Sequence, residues 1–446
     1  MLRAARILLV LLALAGAARG QDRLRVIVET DAGGDPDDEQ SLVRFLLYAN
    51  EWDVEGIIAN RPHARARENL NPERTGLGIV RRELRAYGRV YPRLSENAPG
   101  YPTEAALEGR TVAGYSDTDD GVNLVIRAVD RDDPRPVWFL NWGTDWGSDP
   151  SSLQRALDRV LGERGREGYA RFKDRIRLSS SDRFRDHTTS IRPFFRLWVE
   201  KEWPLVDGEG WSHRFGFLTA TAGGFDLRRD VLTGHGPLGA LYPANTNIPQ
   251  KEGDSLTFLY LIPTGMNDPM HPEWGSWAGR FGVRTDFYRQ VPAYYGANVA
   301  DRWQGTASRE NTLRRWAADL QNDFRARLDW CVLPYARANH RPRAVLNGDG
   351  SGKILTIPAA AGSAVRLSAR GSSDPDGNAL SYAWIPYPEA GGYAGTIPIA
   401  GAAEAEAVVA VPPEAAGHDL HVILAVRDGG HPALTAYRRA ILRVLP

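Results

Sequence analysis

Two hydrophobic periodicities share this chain without mixing. From Arg23 onward, apolar runs of strand length alternate with helical patterns. "RLRVIVETD" is followed by Leu42, Phe45, Leu46 and Ala49 at helical spacing, then by "DVEGIIAN". "PVWFLNW", the helix "PSSLQRALDRVL" opened by Asp149-Pro150, "RIRLSS" and a helical "SIRPFFRLWVEKEW" repeat the alternation. Such alternation predicts an α/β domain built on a mainly parallel open sheet with helices on its faces. From Arg343 to Pro446 helical spacing disappears. "AVRLSA", "LSYAWI", "EAVVAV", "HVILAV" and "RRAILRV" are short β-runs separated by glycine, proline and aspartate turns, which predicts a β-sandwich with Trp384 in its core. The expected division is an α/β domain over 21–336, a polar linker at 337–342 and an all-β module over 343–446.

Charge and cysteine usage narrow the partners. Lysine plus arginine equals aspartate plus glutamate at 55 each, so no overall basic field exists to hold nucleic acid or an anionic membrane. The N-terminus has Arg3 and Arg6, an apolar stretch from Ile7 to Leu14, and small residues ending Ala18-Arg19-Gly20. That is the pattern of a secretory signal peptide over 1–20, too short in its apolar part to span a bilayer. The expected location is therefore periplasmic or extracellular, with no integral membrane segment after cleavage. Cys331 is the single cysteine, which precludes an intrachain disulfide, and "ARLDWCVLP" reads it as a buried small apolar residue.

In open parallel sheets, ligands sit outside the carboxyl ends of the strands. Asp31, Asn60 and the "NWGTDWGS" loop fall at three such ends. The first is the most charged: "ETDAGGDPDDEQ" places Asp31, Asp35, Asp37 and Asp38 with Gly33 and Gly34 between a strand and a helix. Crowded carboxylates raise one another's pKa unless a cation or polar ligand sits among them. The glycines let the loop fold its acids inward, while the helix dipole favours Asp37 and Asp38 in the first turn. Oxygen donors without nearby histidine or cysteine suit calcium or magnesium rather than zinc.

"VIVETDAGGDPDD" resembles the aspartate signature of the calcium-dependent nucleoside hydrolases. "EGIIAN", "NWGTDWGSDPSSLQRAL" and "GDSLTFLYLI" resemble their later landmarks in the same order. A closer resemblance, carried by "TDAGGDPDDEQSLVRFLLY", "GHGPLGALYP", "KEGDSLTFLYLI", "WGSWAGRF" and "SSDPDGNALSYAWIPYPEAG", is to a secreted bacterial family often labelled cellulose-binding protein. That family joins a nucleoside hydrolase-like domain to an immunoglobulin-like one. The resemblance implies Asp31 as metal ligand and general base, Asp38 and Asp254 as carboxylate ligands, and Thr144 as a carbonyl ligand. Asp37 and Asn60 would meet sugar hydroxyls. It implies calcium as the cofactor and hydrolysis of an N- or O-glycosyl bond in a sugar-containing substrate. The alternative is a non-catalytic carbohydrate-binding protein using the same crevice and the β-module to hold polysaccharide.

Departures from the signature leave some roles open. Two extra residues separate Asp31 from Asp37-Asp38, so Asp35 could replace Asp31 or add a ligand. Gly253 stands where many nucleoside hydrolases carry a histidine, and Asp145 where they carry asparagine. His271 and His235 are substitutes for the missing acid. Trp142, Trp146, Trp274 and Trp277 in glycine-rich loops are candidate sugar platforms, with burial as the alternative. Asp182, Asp186 and His187 follow a strand and could enter the site. Asp374 and Asp376 are expected to form a turn before "LSYAW".

Overall fold

The computed structural model describes residues 23–34, 36–63, 71–143, 150–180, 196–198, 215–216, 218–244, 250–284, 293–296 and 299–446. Asp35, Thr144, Asp145, Trp146, Asp182, Asp186 and His187, together with the expected signal segment, lie outside them.

The first domain is an eight-stranded sheet. Its strands are β1 (Leu24–Thr30), β2 (Trp52–Ala59), β3 (Thr111–Ala113), β4 (Val137–Asn141), β5 (Ile176–Ser180), β6 (Arg196–Trp198), β7 (Gly282–Arg284) and β8 (Ala293–Tyr295). They lie in the order β3-β2-β1-β4-β5-β6-β8-β7, all parallel except β7 against β8. The chain runs outward one way from β1 through β2 to β3, then restarts on the other flank at β4. In open parallel sheets the carboxyl ends flanking such a reversal, here between β1 and β4, are where a ligand crevice is expected.

β1 is central because both its faces are apolar. Val26 and Val28 join a core with helices α1 (Pro36–Leu47) and α2 (Gly76–Asn97), whereas Ile27 joins a second core with α3 (Asp120–Asp130) and α4 (Ser152–Asp174). All three are fully buried, each contributing roughly 1.5–3 kcal/mol of transfer energy. Residues 196–198, inside the segment expected to be helical, instead form β6 beside β5. Here sheet pairing overrides the helical spacing of the flanking apolar residues.

The second domain packs two sheets, β11 (Leu355–Ala359), β17 (Thr435–Val444), β16 (Asp419–Asp428) and β13 (Leu380–Pro386) against β12 (Ala364–Ser368), β15 (Glu406–Ala410) and β14 (Ile399–Ala400). Pairing is antiparallel except between β11 and β17. Trp384 fills this core and donates its indole hydrogen to Glu404 O at 2.9 Å. Before the sandwich come a small ribbon, β9 (Asp301–Trp303) and β10 (Thr306–Ser308), and the helix α5 (Ala317–Asp329). Cys331 is buried, and burial pushes its thiol pKa upward.

The two domains share a buried seam. Tyr387, Ile423 and Tyr437 of the sandwich belong to the first domain's core. The Tyr387 hydroxyl donates to Asp301 at 2.6 Å, and Asn322 donates to Ala433 O at 3.0 Å. Arg439, fully buried, donates to Met266 O and Trp274 O, both at 2.6 Å, and faces His421 Nδ1 at 2.8 Å. Ala338, Asn339 and His340, within the proposed linker, are themselves buried.

His421 makes this seam acid-sensitive. Burial first, then the Arg439 guanidinium and His271, lower its pKa from 6.5 to about 3. The unfolded chain takes up the imidazole proton near pH 6.5, and the folded chain does not until far lower pH. The stability is therefore complete above pH 6.5 and falls toward pH 3, by ~1.4 kcal/mol per unit. Between pH 7.5 and pH 5, urea unfolding of the wild type should lose about 2 kcal/mol more than that of His421→Gln. Equal losses would show that the neutral imidazole is not the source.

Candidate functional site

The ends of β1, β2 and β4 meet. Thr30 pairs with Ala59 and Glu29 with Asn141, so the next residues, Asp31, Asn60 and Gly143, come level. Asn60 donates through Nδ2 to Gly143 O at 2.8 Å, while its buried Oδ1 has no protein partner. Gly143 has a φ of 139°, and a Cβ there would stand 3.0 Å from Asp31 Oδ1. Only glycine lets the Asp31 carboxylate come this close to the end of β4.

The loop after β1 turns tightly and enters α1. Gly34 N donates to Asp31 O at 3.1 Å, and Gly33 takes a φ of 95°. The Thr30 hydroxyl donates to Asp38 Oδ1 at 2.5 Å, fixing Asp38 against the strand it follows. Asp37 and Asp38 occupy the first turn of α1, where the helix dipole favours carboxylates. Asp254 comes from a distant segment. Asp37, Asp38 and Asp254 are all buried and can each place one oxygen within 4.8 Å of the others, the only such trio among the described residues.

Asp254 is delivered by α1 itself. Gln40, one turn beyond Asp37, accepts at Oε1 from the backbone N–H groups of Lys251 and Glu252 at 2.7 and 3.1 Å. Glu252 adopts a left-handed φ of 39°, uncommon outside glycine, and is held there by side-chain bonds. Its carboxylate accepts from Tyr242 at 2.6 Å, Gln250 at 2.9 Å and Ser255 at 2.8 Å, and forms an ion pair with Arg44. Arg44 also donates to Gln321 at 3.0 Å and lies 3.6 Å from the centre of the Phe324 ring. Burial opposes the guanidinium's charge, but Glu252 offsets this and leaves the Arg44 pKa raised. No local motif announces these residues. The one available signal is an arginine and a glutamine spaced along an otherwise apolar helix.

Glu29 is a further residue that pattern reading passed over. It is fully buried at the end of β1 and accepts from Ser152 N, at 2.9 Å, at the start of α4. Burial raises its pKa to about 7, against the lowering effect of the hydrogen bonds from Ser152 and Asn60.

Other expected residues have different settings. Trp142 and Trp277 are correctly read only by the burial alternative, because both rings are sealed in the core. Trp142 packs on Phe45 and Phe258, and its indole donates to Thr257 Oγ1 at 2.8 Å. Trp277 lies beneath the Arg341 guanidinium, 5.2 Å from its ring centre. His271 stacks on Trp274 at 3.7 Å, bonds Glu273 at 2.9 Å, and through Trp274 meets His421 at the seam. His235 pairs with Asp329 at 3.1 Å.

Three buried carboxylates with converging oxygens form a hard donor set whose mutual repulsion a divalent cation would relieve. The residues therefore fit a calcium- or magnesium-like ion. Asp37 stands with the carboxylate trio, where the resemblance assigned it to sugar, and Asp31 stands beside Gly143 outside that trio.

Removing one charge of the Arg44–Glu252 pair leaves the other buried alone. Arg44→Met should cost about 3–5 kcal/mol in urea unfolding, and the double change Arg44→Met/Glu252→Met should recover part of it. A cost below about 1 kcal/mol for the single change would remove the pair from its bracing role.

Comparison with known proteins returns two family models. The description "Cellulose-binding Sde182, nucleoside hydrolase-like domain" matches residues 25–281, and "Cellulose-binding protein Sde0182, C-terminal domain" matches residues 364–444. Among solved structures, a nucleoside hydrolase-related hypothetical protein from Saccharophagus degradans, described as associated with carbohydrate metabolism, is 33% identical. The match covers 95% of this chain and 100% of that one, with a TM-score of 0.73. The effector protein XOO4466 and the type III effector XopQ, the latter complexed with adenosine diphosphate ribose, are each 10% identical. Each match covers 70% of this chain and 97% of the other, with TM-scores of 0.33 and 0.30. No curated protein matches the chain.

Proposed function

This chain belongs to the cellulose-binding Sde182 family with its nucleoside hydrolase-like domain, a carbohydrate-related family, and from that premise we propose an exported, metal-dependent hydrolase of a glycosyl bond. The observation that carries the reading is the buried trio Asp37, Asp38 and Asp254 beside Asp31 and Asn60 at the β1/β4 crevice. The trio would hold the cation, with calcium as the proposed ion. When bound, the ion supplies a water of lowered pKa. Asp31, close against Gly143, would serve as the general base that accepts a proton from water. Asn60, anchored through its amide hydrogens, keeps Oδ1 to accept a sugar hydroxyl. Export accords with the N-terminal pattern, and among the described residues no helix is long and apolar enough to cross a membrane.

A second reading, a non-catalytic binder, is favoured by one feature. Gly253 supplies no side chain where a leaving-group acid would stand, and His271 bonds Glu273 at the seam. Binding of polysaccharide would then be the whole function.

Calcium should raise the melting temperature of the full chain, chelator should reverse the shift, and Asp38→Asn should abolish most of it. The absence of a shift with calcium, magnesium or manganese would refute the metal site. A hydrolysis screen of nucleosides and oligosaccharides, with and without calcium, separates enzyme from binder. Asp31→Asn should lower kcat by ~10²- to 10⁴-fold with a much smaller change in substrate affinity. If Asp35→Asn abolishes turnover and Asp31→Asn does not, the base is Asp35.

A further inference from the structure

A second concave surface lies away from the carboxylates, where the last turn of the first domain meets two loops at one end of the sandwich. It is a cleft of about 490 Å³, within the ~300–1,000 Å³ usual for small-molecule sites. Tyr335 and Arg337 line it on one side, and Asp376, Asn378 and His431 on the other.

The cleft has a rigid aromatic floor. Tyr335 stacks on His340 with centroids 3.9 Å apart and planes 19° from parallel, and His340 stacks in turn on buried Trp330 at 5.4 Å and 25°. The middle ring is pinned at both nitrogens, by Asp376 Oδ1 at 2.9 Å and Asn97 Oδ1 at 3.0 Å. The outermost ring, Tyr335, is 40% exposed, one of the few large apolar side chains left open to solvent among the described residues. The walls are equally fixed. Asp374 Oδ1 accepts from the backbone N–H groups of Asp376 and Asn378 at 3.0 and 2.9 Å, and Asn378 Nδ2 donates to Asn339 Oδ1 at 2.9 Å. The other oxygen of Asp374 has no protein partner. Burial, then the nearby charges of Asp376 and Asp374, raise the Tyr335 phenol pKa.

A pre-set aromatic face flanked by carboxylate, amide and guanidinium groups is the chemistry that receives a neutral sugar ring. The C–H face lies on the aromatic ring, and hydroxyls both donate and accept at its edge. We propose that the cleft of Tyr335, Arg337, Asp376 and Asn378 is a binding site for a neutral oligosaccharide, separate from the carboxylate crevice. This rests on the carbohydrate reading above and gives it a second location.

The test uses the full chain with cellohexaose, xylohexaose and chitohexaose as probes in calorimetric titration. Tyr335→Ala should weaken binding about tenfold to a hundredfold, as loss of an anchoring aromatic does, and Tyr335→Trp should retain it. Arg337→Ala, exposed and outside the ring stack, should weaken it by a smaller factor and guards against misfolding of the tyrosine variant. Asp254→Asn should leave this binding in place. Unchanged affinity in both Tyr335→Ala and Arg337→Ala, or no binding of any probe at millimolar concentration by the wild type, would overturn the proposal. Loss with Asp254→Asn but not with Tyr335→Ala would overturn it while upholding a sugar site at the crevice. Loss with Tyr335→Ala in a protein that shows no calcium shift would support the cleft and sink the metal reading.

Discussion

The buried pair between Arg44 and Glu252 joins the two halves of the candidate centre. Both side chains are fully excluded from water, and they are 208 residues apart in the chain. An ion pair in such a place gains little net stability over an apolar pair of the same shape, but its geometry admits few alternatives. It sets the register between α1, which carries Asp37 and Asp38, and the left-handed turn that presents Asp254. Gln40 reinforces that register through two backbone bonds. Through these contacts α1 holds the turn that carries Asp254 against its own acidic first turn.

The sandwich is part of the same body. Its residues Tyr387, Ile423 and Tyr437 complete the first domain's core, and Arg439 satisfies carbonyls of the segment that follows Asp254. Relative motion of the domains would strip partners from a buried guanidinium, which is costly in a low-dielectric seam. The second domain therefore stiffens the wall on which Trp274 and His271 lie.

Periodicity made the fold legible. β1, β2, β4 and β5, the sandwich strands with alternating residues, and the Asp31–Asp38 loop all stand out because their signals are local. The failures share a cause, which is that a side chain's surroundings are set by distant segments. Trp142 and Trp277 sit in glycine-rich stretches that suggest exposure, yet Phe45, Phe258 and the sandwich close over them. Arg44 and Glu252 have no shared motif. Residues 196–198 follow the partner strand β5 rather than their own helical spacing. Asp254 was reachable only through resemblance, since one aspartate before an apolar run has no distinctive pattern.

Eleven of the twelve residues of α1 are buried, so the helix has almost no free surface. Asn60 and Gly143, by contrast, lie in loops just past the ends of separate strands. A lineage that keeps this helix cannot easily alter its acidic first turn, because each position answers to neighbours on several sides. Diversification among descendants is thereby channelled into the rim, where loop lengths can drift while the buried acidic cluster beneath stays fixed.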